Sequence, residues 1–126
     1  MITYSVGPNQ QFGSIQQAVT TLKNQYLGTT ITDDIKIEVY QDVYGGFVVD
    51  NAAFSFSSGK KLYIVARPNH KPIISGLITS PTKGHGHNYV GIGIGNNNPN
   101  IYIKGFRVEN FHKGIVLSAG CYNSII

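Results

Sequence analysis

The feature that most constrains this chain is a series of short apolar segments that follow one another from residue 35 onward, with glycine and asparagine between them. Ile35–Tyr40 alternates apolar and polar residues, Leu62–Ala66 is almost continuously apolar, and Ile101–Ile103 and Gly114–Leu117 come later. Alternation with a period of two and enrichment in β-branched and aromatic residues are typical of β-strands. The sequence therefore predicts many short strands joined by turns.

One earlier segment has helical spacing instead. Its apolar residues recur at intervals of three and four and would form one face of a helix: Ile15, Ala18, Val19, Leu22 and Tyr26. Ser14 is suited to accept hydrogen bonds from the amides of the first turn, and Gln17 follows three residues later, as in a capping box. Gly28 can end the helix in the left-handed conformation. We expect a helix over about residues 14–27.

The spacing of the strand segments predicts stacked coils. Asn100 and Asn123 precede two of the later apolar segments, and Ile37 and Tyr63 begin matching parts of two earlier ones. The two residues of each pair are roughly 25 positions apart, and a repeat of this length indicates a solenoid. In a solenoid the inward side chains of each coil pile on those of its neighbours. We expect one domain over residues 1–126, with a cap region in 1–34 and coils in 35–126.

The two ends of such a solenoid would differ. An uncovered end exposes apolar side chains and unpaired strand amides. The predicted helix would cover the first end, but no comparable segment stands near Ile126. We therefore expect that more protein follows Ile126 or that a partner covers this end.

Composition narrows the classes of function. The formal net charge is +4, and no run of Lys or Arg indicates a nucleic-acid interface, so we expect no nucleic-acid partner. Cys121 is the single cysteine, which excludes an internal disulfide. The N-terminus lacks the pattern of a secretory signal, and no segment has the roughly 20 apolar residues that span a bilayer. The N-terminus is compatible with a virion component and with a mature secreted protein.

Four segments together resemble the N-terminus of right-handed parallel β-helix proteins of the pectin-lyase-like superfamily, which includes pectate lyases, pectin methylesterases, polygalacturonases and many phage tailspikes. QQFGSIQQAV, from Gln10, resembles the entry into a capping helix, and IKIEVYQDVYGGFVV, from Ile35, resembles a first coil in which Asp42 replaces the usual glycine. LYIVARPNHKPIISG, from Leu62, and NIYIKGFRVENFHKGIVLSAGCYNSII, from Asn100, resemble later coils.

The resemblance implies the fold class and a set of activities. The expected fold is an all-β solenoid, a right-handed parallel β-helix with an N-terminal capping α-helix, about four coils and an open C-terminal end. Enzymes of this superfamily that cleave polysaccharides use clustered Asp residues with a basic partner, or paired carboxylates as acid and base. Of the six carboxylates, only Asp33 and Asp34 are close in sequence, and adjacent residues of an extended segment point to opposite sides. We therefore name no catalytic residue.

Two further sets of residues are candidates for binding. His85 and His87 are weak candidates for a metal site, because no cysteine or carboxylate is near them in the sequence, and we expect no cofactor. Aromatic rings suit the apolar faces of sugars. The candidates for carbohydrate binding are the strand tyrosines and one pair of charged residues on a shared outer face: Tyr40, Tyr44, Tyr63, Tyr102, Arg107 and Glu109.

The sequence thus favours the scaffold and carbohydrate-recognition part of an extracellular or virion protein, of the tailspike or tail-fibre kind, as a fragment of a longer chain. Its expected partner is a polysaccharide or a cell-surface glycan. One alternative is the N-terminal part of a polysaccharide lyase or glycoside hydrolase. A second alternative is a purely structural module that assembles as a homotrimer or end to end through its open C-terminal coil.

Overall fold

The computed structural model describes residues 1–76, 90–122 and 124–126. In these ranges the chain forms one helix and ten short strands. In chain order they are β1 (Ile2–Val6), α1 (Ile15–Gln25), β2 (Ile35–Val39), β3 (Val43–Tyr44), β4 (Phe47–Val49), β5 (Leu62–Ala66), β6 (Ile73–Ser75), β7 (Val90–Ile94), β8 (Ile101–Lys104), β9 (Arg107–Glu109) and β10 (Lys113–Leu117).

The strands form three separate sheets, and every strand pair is parallel. The four-stranded sheet has the order β1-β2-β5-β8, and the two three-stranded sheets have the orders β10-β7-β4 and β3-β6-β9. From β2 onward, consecutive strands belong to the three sheets in turn: β2, β3 and β4 lie in different sheets, and β5 lies beside β2. From β2 to β7, each strand therefore pairs with the strand three places later in the chain, whereas β1 pairs with β2.

Aliphatic side chains stack in register across the four-stranded sheet and form the centre of the core. Two such columns are Ile35, Leu62 and Ile101, and Ile37, Ile64 and Ile103. All six side chains are buried. Burying one side chain of this size stabilises the fold by about 1.5–3 kcal/mol, so the stacked positions favour this register over any other.

Helix α1 packs against the same core. Its four buried residues, Ile15, Ala18, Val19 and Leu22, lie on one face, and α1 contacts β1 and β4. The side chain of Ser14 accepts a hydrogen bond from the backbone amide of Gln17 at 3.1 Å, and the side-chain carbonyl of Gln17 accepts one from the amide of Gly13. The helix ends at Gln25, two residues earlier than expected. No helix in the described ranges is long and apolar enough to cross a membrane.

The predicted fold class is wrong. The described residues form one four-stranded and two three-stranded parallel sheets with one short helix, which is a small mixed α/β domain and not a closed all-β β-helix of about four coils. The physical reason is that α1 buries Ile15, Ala18, Val19 and Leu22 in the same core as the strands, so the helix is a packed part of the domain and the described chain is not all-β. The region predicted as a cap, residues 1–34, also contains strand β1, which pairs with β2.

A buried asparagine joins two of the turns between sheets. The side chain of Asn98 is fully buried, and its carbonyl oxygen accepts a hydrogen bond from the backbone amide of Ala53 at 3.0 Å. Its amide group donates to the backbone carbonyls of Asp50 and Gly95. Buried backbone groups that lose their partners destabilise a fold strongly, so this one side chain holds the β4–β5 turn against the β7–β8 turn.

Substitution of this asparagine tests its role. Because Asn98→Ala leaves buried backbone groups without partners, we expect it to lower the free energy of unfolding by about 3 kcal/mol, measured by urea denaturation. Asn96→Ala is the matched control: its side chain is exposed, and the expected change is within about 0.5 kcal/mol. Equal effects of the two substitutions would contradict the assignment.

Candidate functional site

The outer surface of the four-stranded sheet carries aromatic and charged side chains side by side. Alternation along the strands buries one set of side chains and turns the next set outward. We call this surface the sheet face and define it by the outward residues of β2, β5 and β8: Lys36, Glu38, Tyr63, Val65, Tyr102 and Lys104.

Two tyrosines form an aromatic pair on the sheet face. Tyr63 and Tyr102 occupy the same register position of neighbouring strands, and their ring centroids are 5.4 Å apart with an angle of 53° between the ring planes. Both side chains are partly exposed. The pair arises from the backbone register, because outward residues directly opposite on adjacent strands come within contact distance. It therefore presents an ordered aromatic surface.

Charged groups surround the tyrosine pair. Lys36 lies in register with Tyr63 on the other side, and its ammonium group contacts the carboxylate of Glu38 at 3.0 Å. Lys104 follows two residues after Tyr102 and is exposed. The sheet face thus joins aromatic rings to hydrogen-bond donors and one carboxylate acceptor.

A second aromatic group lies at the end of the same sheet, one residue beyond β2 and β5. The guanidinium carbon of Arg67 is 4.4 Å from the centroid of the Tyr40 ring. The ring of His70 meets that of Tyr40 edge to face at 5.4 Å, and its Nδ1 accepts a hydrogen bond from the backbone amide of Gln41 at 2.9 Å. These contacts hold the Tyr40 ring in place beside a cation.

The structure therefore brings together three of the predicted carbohydrate-binding residues, Tyr40, Tyr63 and Tyr102, on one sheet. Arg107 and Glu109 do lie on one outer face, as expected, but they belong to β9 in another sheet, where they form an ion pair of 3.1 Å. Sequence reasoning missed Arg67 and Lys104. Their outward position follows from the alternation that starts at Leu62 and Ile101, which is the signal that could have identified them.

Tyr44 has a different place from the other predicted tyrosines. Its side chain is 5% exposed, and its hydroxyl group donates a hydrogen bond to the backbone carbonyl of Tyr40 at 2.6 Å. Burial, with a smaller contribution from the negative charge of Asp42, raises the pKa of Tyr44 to about 12. Tyr44 thus supports the turn that carries Tyr40.

The six carboxylates, all within the described residues, do not share a site. Glu38 pairs with Lys36, Asp50 with Lys23 and Glu109 with Arg107. Asp34 and Asp42 accept hydrogen bonds from the backbone amides of Lys61 and Val43. A hydrogen bond from the N-terminal ammonium group, and a second from the amide of Asp34, hold the pKa of Asp33 below its usual value. Acid–base cleavage of a sugar bond needs two carboxylates that face one substrate, and this arrangement does not provide them.

The weak metal candidates cannot be placed. His85 and His87 lie outside the described residues. Among the residues that are described, no group of three or more His, Cys, Asp or Glu side chains is arranged to hold a metal ion. Cys121 is a free thiol that contacts the backbone carbonyl of Gly95 at 3.2 Å.

The buried position of Tyr44 predicts a specific dependence on alkaline pH. The pKa of the Tyr44 phenol is about 12 in the folded state and about 10 in the unfolded state. The contribution of the protonated phenol to the free energy of unfolding is therefore fully present below pH 10. It is lost as the pH rises towards 12, and the expected loss is about 2 kcal/mol.

Urea denaturation of wild type and Tyr44→Phe between pH 8 and pH 12 measures this effect. The variant lacks the hydroxyl group, so we expect it to be about 1 kcal/mol less stable at pH 8 and to lose less stability than wild type above pH 10. Parallel curves for the two proteins would contradict the prediction.

Comparison of the chain with family models, with curated proteins and with solved structures finds no match. The likeness to pectin-lyase-like proteins thus remains an expectation from four sequence segments, and any function has to be argued from the geometry of the chain itself.

Proposed function

We propose that this chain is the scaffold and carbohydrate-recognition part of an extracellular or virion protein, and that it binds a polysaccharide or a cell-surface glycan through the sheet face. The observation that carries the proposal is the Tyr63–Tyr102 pair, two partly exposed rings held 5.4 Å apart on a rigid sheet. The resemblance of four sequence segments to tailspike-type proteins also supports carbohydrate binding.

The chemistry of the pair suits sugars. An aromatic ring covers the apolar C–H face of a sugar, while the phenol hydroxyl groups and the flanking Lys36 and Glu38 can exchange hydrogen bonds with sugar hydroxyl groups. The rings are set by strand register, so little conformational entropy is lost when a ligand binds. A sheet is also a more exact support for such a site than a loop.

The dimensions of the sheet face favour an extended ligand. Tyr40 directly follows β2 and comes four residues after Lys36, the register partner of Tyr63. At about 3.3 Å per residue, this places the Tyr40 ring about 13 Å further along the sheet than the tyrosine pair. A chain of several sugar rings would contact both aromatic groups, with Glu38 and Lys104 between them.

No feature of the described residues favours the polysaccharide lyase or glycoside hydrolase alternative to the same degree. Glu38 is the one carboxylate of the sheet face, and its partner at 3.0 Å is Lys36. A paired carboxylate close by is what hydrolysis would require. If the chain released reducing ends or unsaturated products from any member of a polysaccharide panel, that result would support the enzyme hypothesis over carbohydrate binding without cleavage.

Aromatic substitutions test the proposed face. We expect Tyr63→Ala and Tyr102→Ala each to weaken binding of the best ligand in an oligosaccharide panel about 3- to 10-fold, because each removes one stacking surface. Tyr63→Phe keeps the ring and should lose less affinity than Tyr63→Ala. Isothermal titration calorimetry gives the affinities.

Val43→Ala is the matched control, because this exposed residue belongs to β3 in another sheet and contributes no side chain to the sheet face. For a ligand of the sheet face its affinity should equal that of wild type. A ligand whose affinity is unchanged by both Tyr63→Ala and Tyr102→Ala would contradict the proposed function.

The second candidate function, assembly, is favoured by apolar side chains at the edge strand β10. Ile115 and Leu117 stand in register with the buried Ile92 and Ile94, yet each is about half exposed because none of the described strands pairs with β10 on its other side. Close by, a cavity of about 310 Å³ is lined mainly by Ile103, Phe106, Ile115 and Ile126 among other residues. A second copy placed end to end would cover the same surface on both chains, because a twofold interface is self-complementary.

Sedimentation velocity tests the assembly. We expect the wild-type chain to form a dimer at high concentration and Leu117→Lys to remain a monomer, because a charge within the apolar surface of β10 opposes its burial. Val43→Lys, an exposed residue of β3, is the control and should dimerise as wild type does. A wild-type chain that remains a monomer would exclude the assembly, and a trimer would exclude the end-to-end arrangement.

A further inference from the structure

A cleft of about 380 Å³ lies beside the turns that lead into β5 and β8. It is lined by residues from three turns, within 52–56, 97–100 and 120–122. Neither Tyr63 nor Tyr102 lines this cleft. It is thus distinct from the sheet face.

A second cleft continues the first. It has a volume of about 230 Å³ and shares Ala52 and Ser55 with the larger one, and it extends to the end of helix α1 at residues 26–30. We call the two clefts together the turn groove. Its lining residues extend across the stacked turns from Tyr26 to Tyr122.

Aromatic rings form the apolar part of the turn groove. Phe54 and Phe56 lie with ring centroids 6.2 Å apart and 30° between the ring planes; Phe54 is buried in the core and supports Phe56, which is partly exposed. Tyr122 also lines the groove, and its side chain is 67% exposed. A ring with that exposure has little packing role within the chain and is available to a ligand.

Amide side chains form the polar part. Asn97 and Asn100 both line the groove, and both have left-handed backbone conformations, with φ of 59° and 66°. Their backbone amides donate hydrogen bonds to the carbonyls of Ala119 and Tyr122. Within the described part of the chain no hydrogen bond joins either side-chain amide to another residue, so each amide group can donate to and accept from a ligand.

No charged side chain is found among the described residues that line the turn groove. An ionised ligand would leave its charge there without a partner, which is unfavourable in a partly enclosed site. The lining instead offers ring faces, amide groups and the hydroxyl groups of Thr29, Thr30 and Ser55. This set matches a neutral molecule that has apolar C–H faces and many hydroxyl groups.

The floor of the turn groove is held in place by buried polar contacts. Asn98 joins the turn at Ala53 to the turn at Gly95, and the hydroxyl group of Ser124 donates to the carbonyl of Asn98 at 3.1 Å. The same hydroxyl group accepts from the backbone amide of Ile101. The three turns are thus fixed relative to one another before a ligand arrives, which favours binding.

We propose that the turn groove is a second binding site, and that its ligand is a neutral saccharide. The sugar ring stacks on Tyr122 and on the exposed part of the Phe56 ring, and its hydroxyl groups exchange hydrogen bonds with the side chains of Asn97 and Asn100. The inference goes beyond the sheet face and does not depend on it, because the two sites share no side chain.

Two sets of oligosaccharides of equal length test the proposal: neutral ones of glucose, mannose or galactose, and acidic ones of uronic acids. Calorimetry and NMR titration of the full chain report affinity and location. We expect a neutral oligosaccharide to bind and Tyr122→Ala and Asn97→Gly each to weaken it about 3- to 10-fold. Glycine tolerates the left-handed conformation at position 97, so that variant removes the amide and keeps the turn.

The matched controls are Asn96→Ala and Val43→Ala, whose side chains lie outside both the turn groove and the sheet face. Both should bind the neutral oligosaccharide as wild type does, and Tyr63→Ala is measured in parallel to show which of the two sites holds the ligand. The proposal is overturned if no neutral oligosaccharide binds at millimolar concentration, if uronic acids bind the groove more tightly than neutral sugars, or if Tyr63→Ala weakens the neutral ligand as much as Tyr122→Ala. The last outcome would assign the neutral ligand to the sheet face.

Discussion

Stacked aliphatic side chains on neighbouring parallel strands are the interaction on which the rest of the structure depends. Ile37, Ile64 and Ile103 occupy one register position of the four-stranded sheet, and all three are buried. A shift of one residue would turn each of them to the outer surface, because side chains alternate between the two faces of a strand. The core therefore fixes the register, and the register fixes which residues meet on the outside.

The sheet face is a consequence of that inner packing. Tyr63 and Tyr102 meet because Ile64 and Ile103 meet beside them, and Arg67 lies over Tyr40 because each residue directly follows a paired strand position. The aromatic contacts themselves add about 0.5–1.5 kcal/mol each, less than the burial of one isoleucine. The binding surface is therefore ordered by the core, and removing one of its rings should change affinity more than stability.

Local signals predicted α1 and most of the strands that follow it, but neither strand β1 nor the fold class. Ser14 and the apolar spacing after it predicted α1, alternation predicted β2, and short apolar runs predicted β5 and β8. The regular spacing of the apolar segments, however, reports only how often a strand returns to its sheet, and it does not show that a helix shares the core or that the sheets stay separate. Tyr44 is one of two residues in β3, too short a strand for alternation to distinguish a buried tyrosine from an outward one. The tyrosine pair of the sheet face required a register across the long interval between β5 and β8, which spacing alone does not supply.

Asparagine has two opposite roles in the turns that border the turn groove. Asn98 is buried, and its side-chain amide forms hydrogen bonds with backbone groups of two turns, so its role is to stabilise the fold. Asn97 and Asn100, on either side of Pro99, have left-handed backbones that asparagine adopts more readily than most residues. Among the described residues their side chains take no part in the hydrogen bonds of the turns. The same backbone requirement that selects asparagine at these positions therefore places two amide groups beside Tyr122 in the lining of the groove, where they can exchange hydrogen bonds with a ligand.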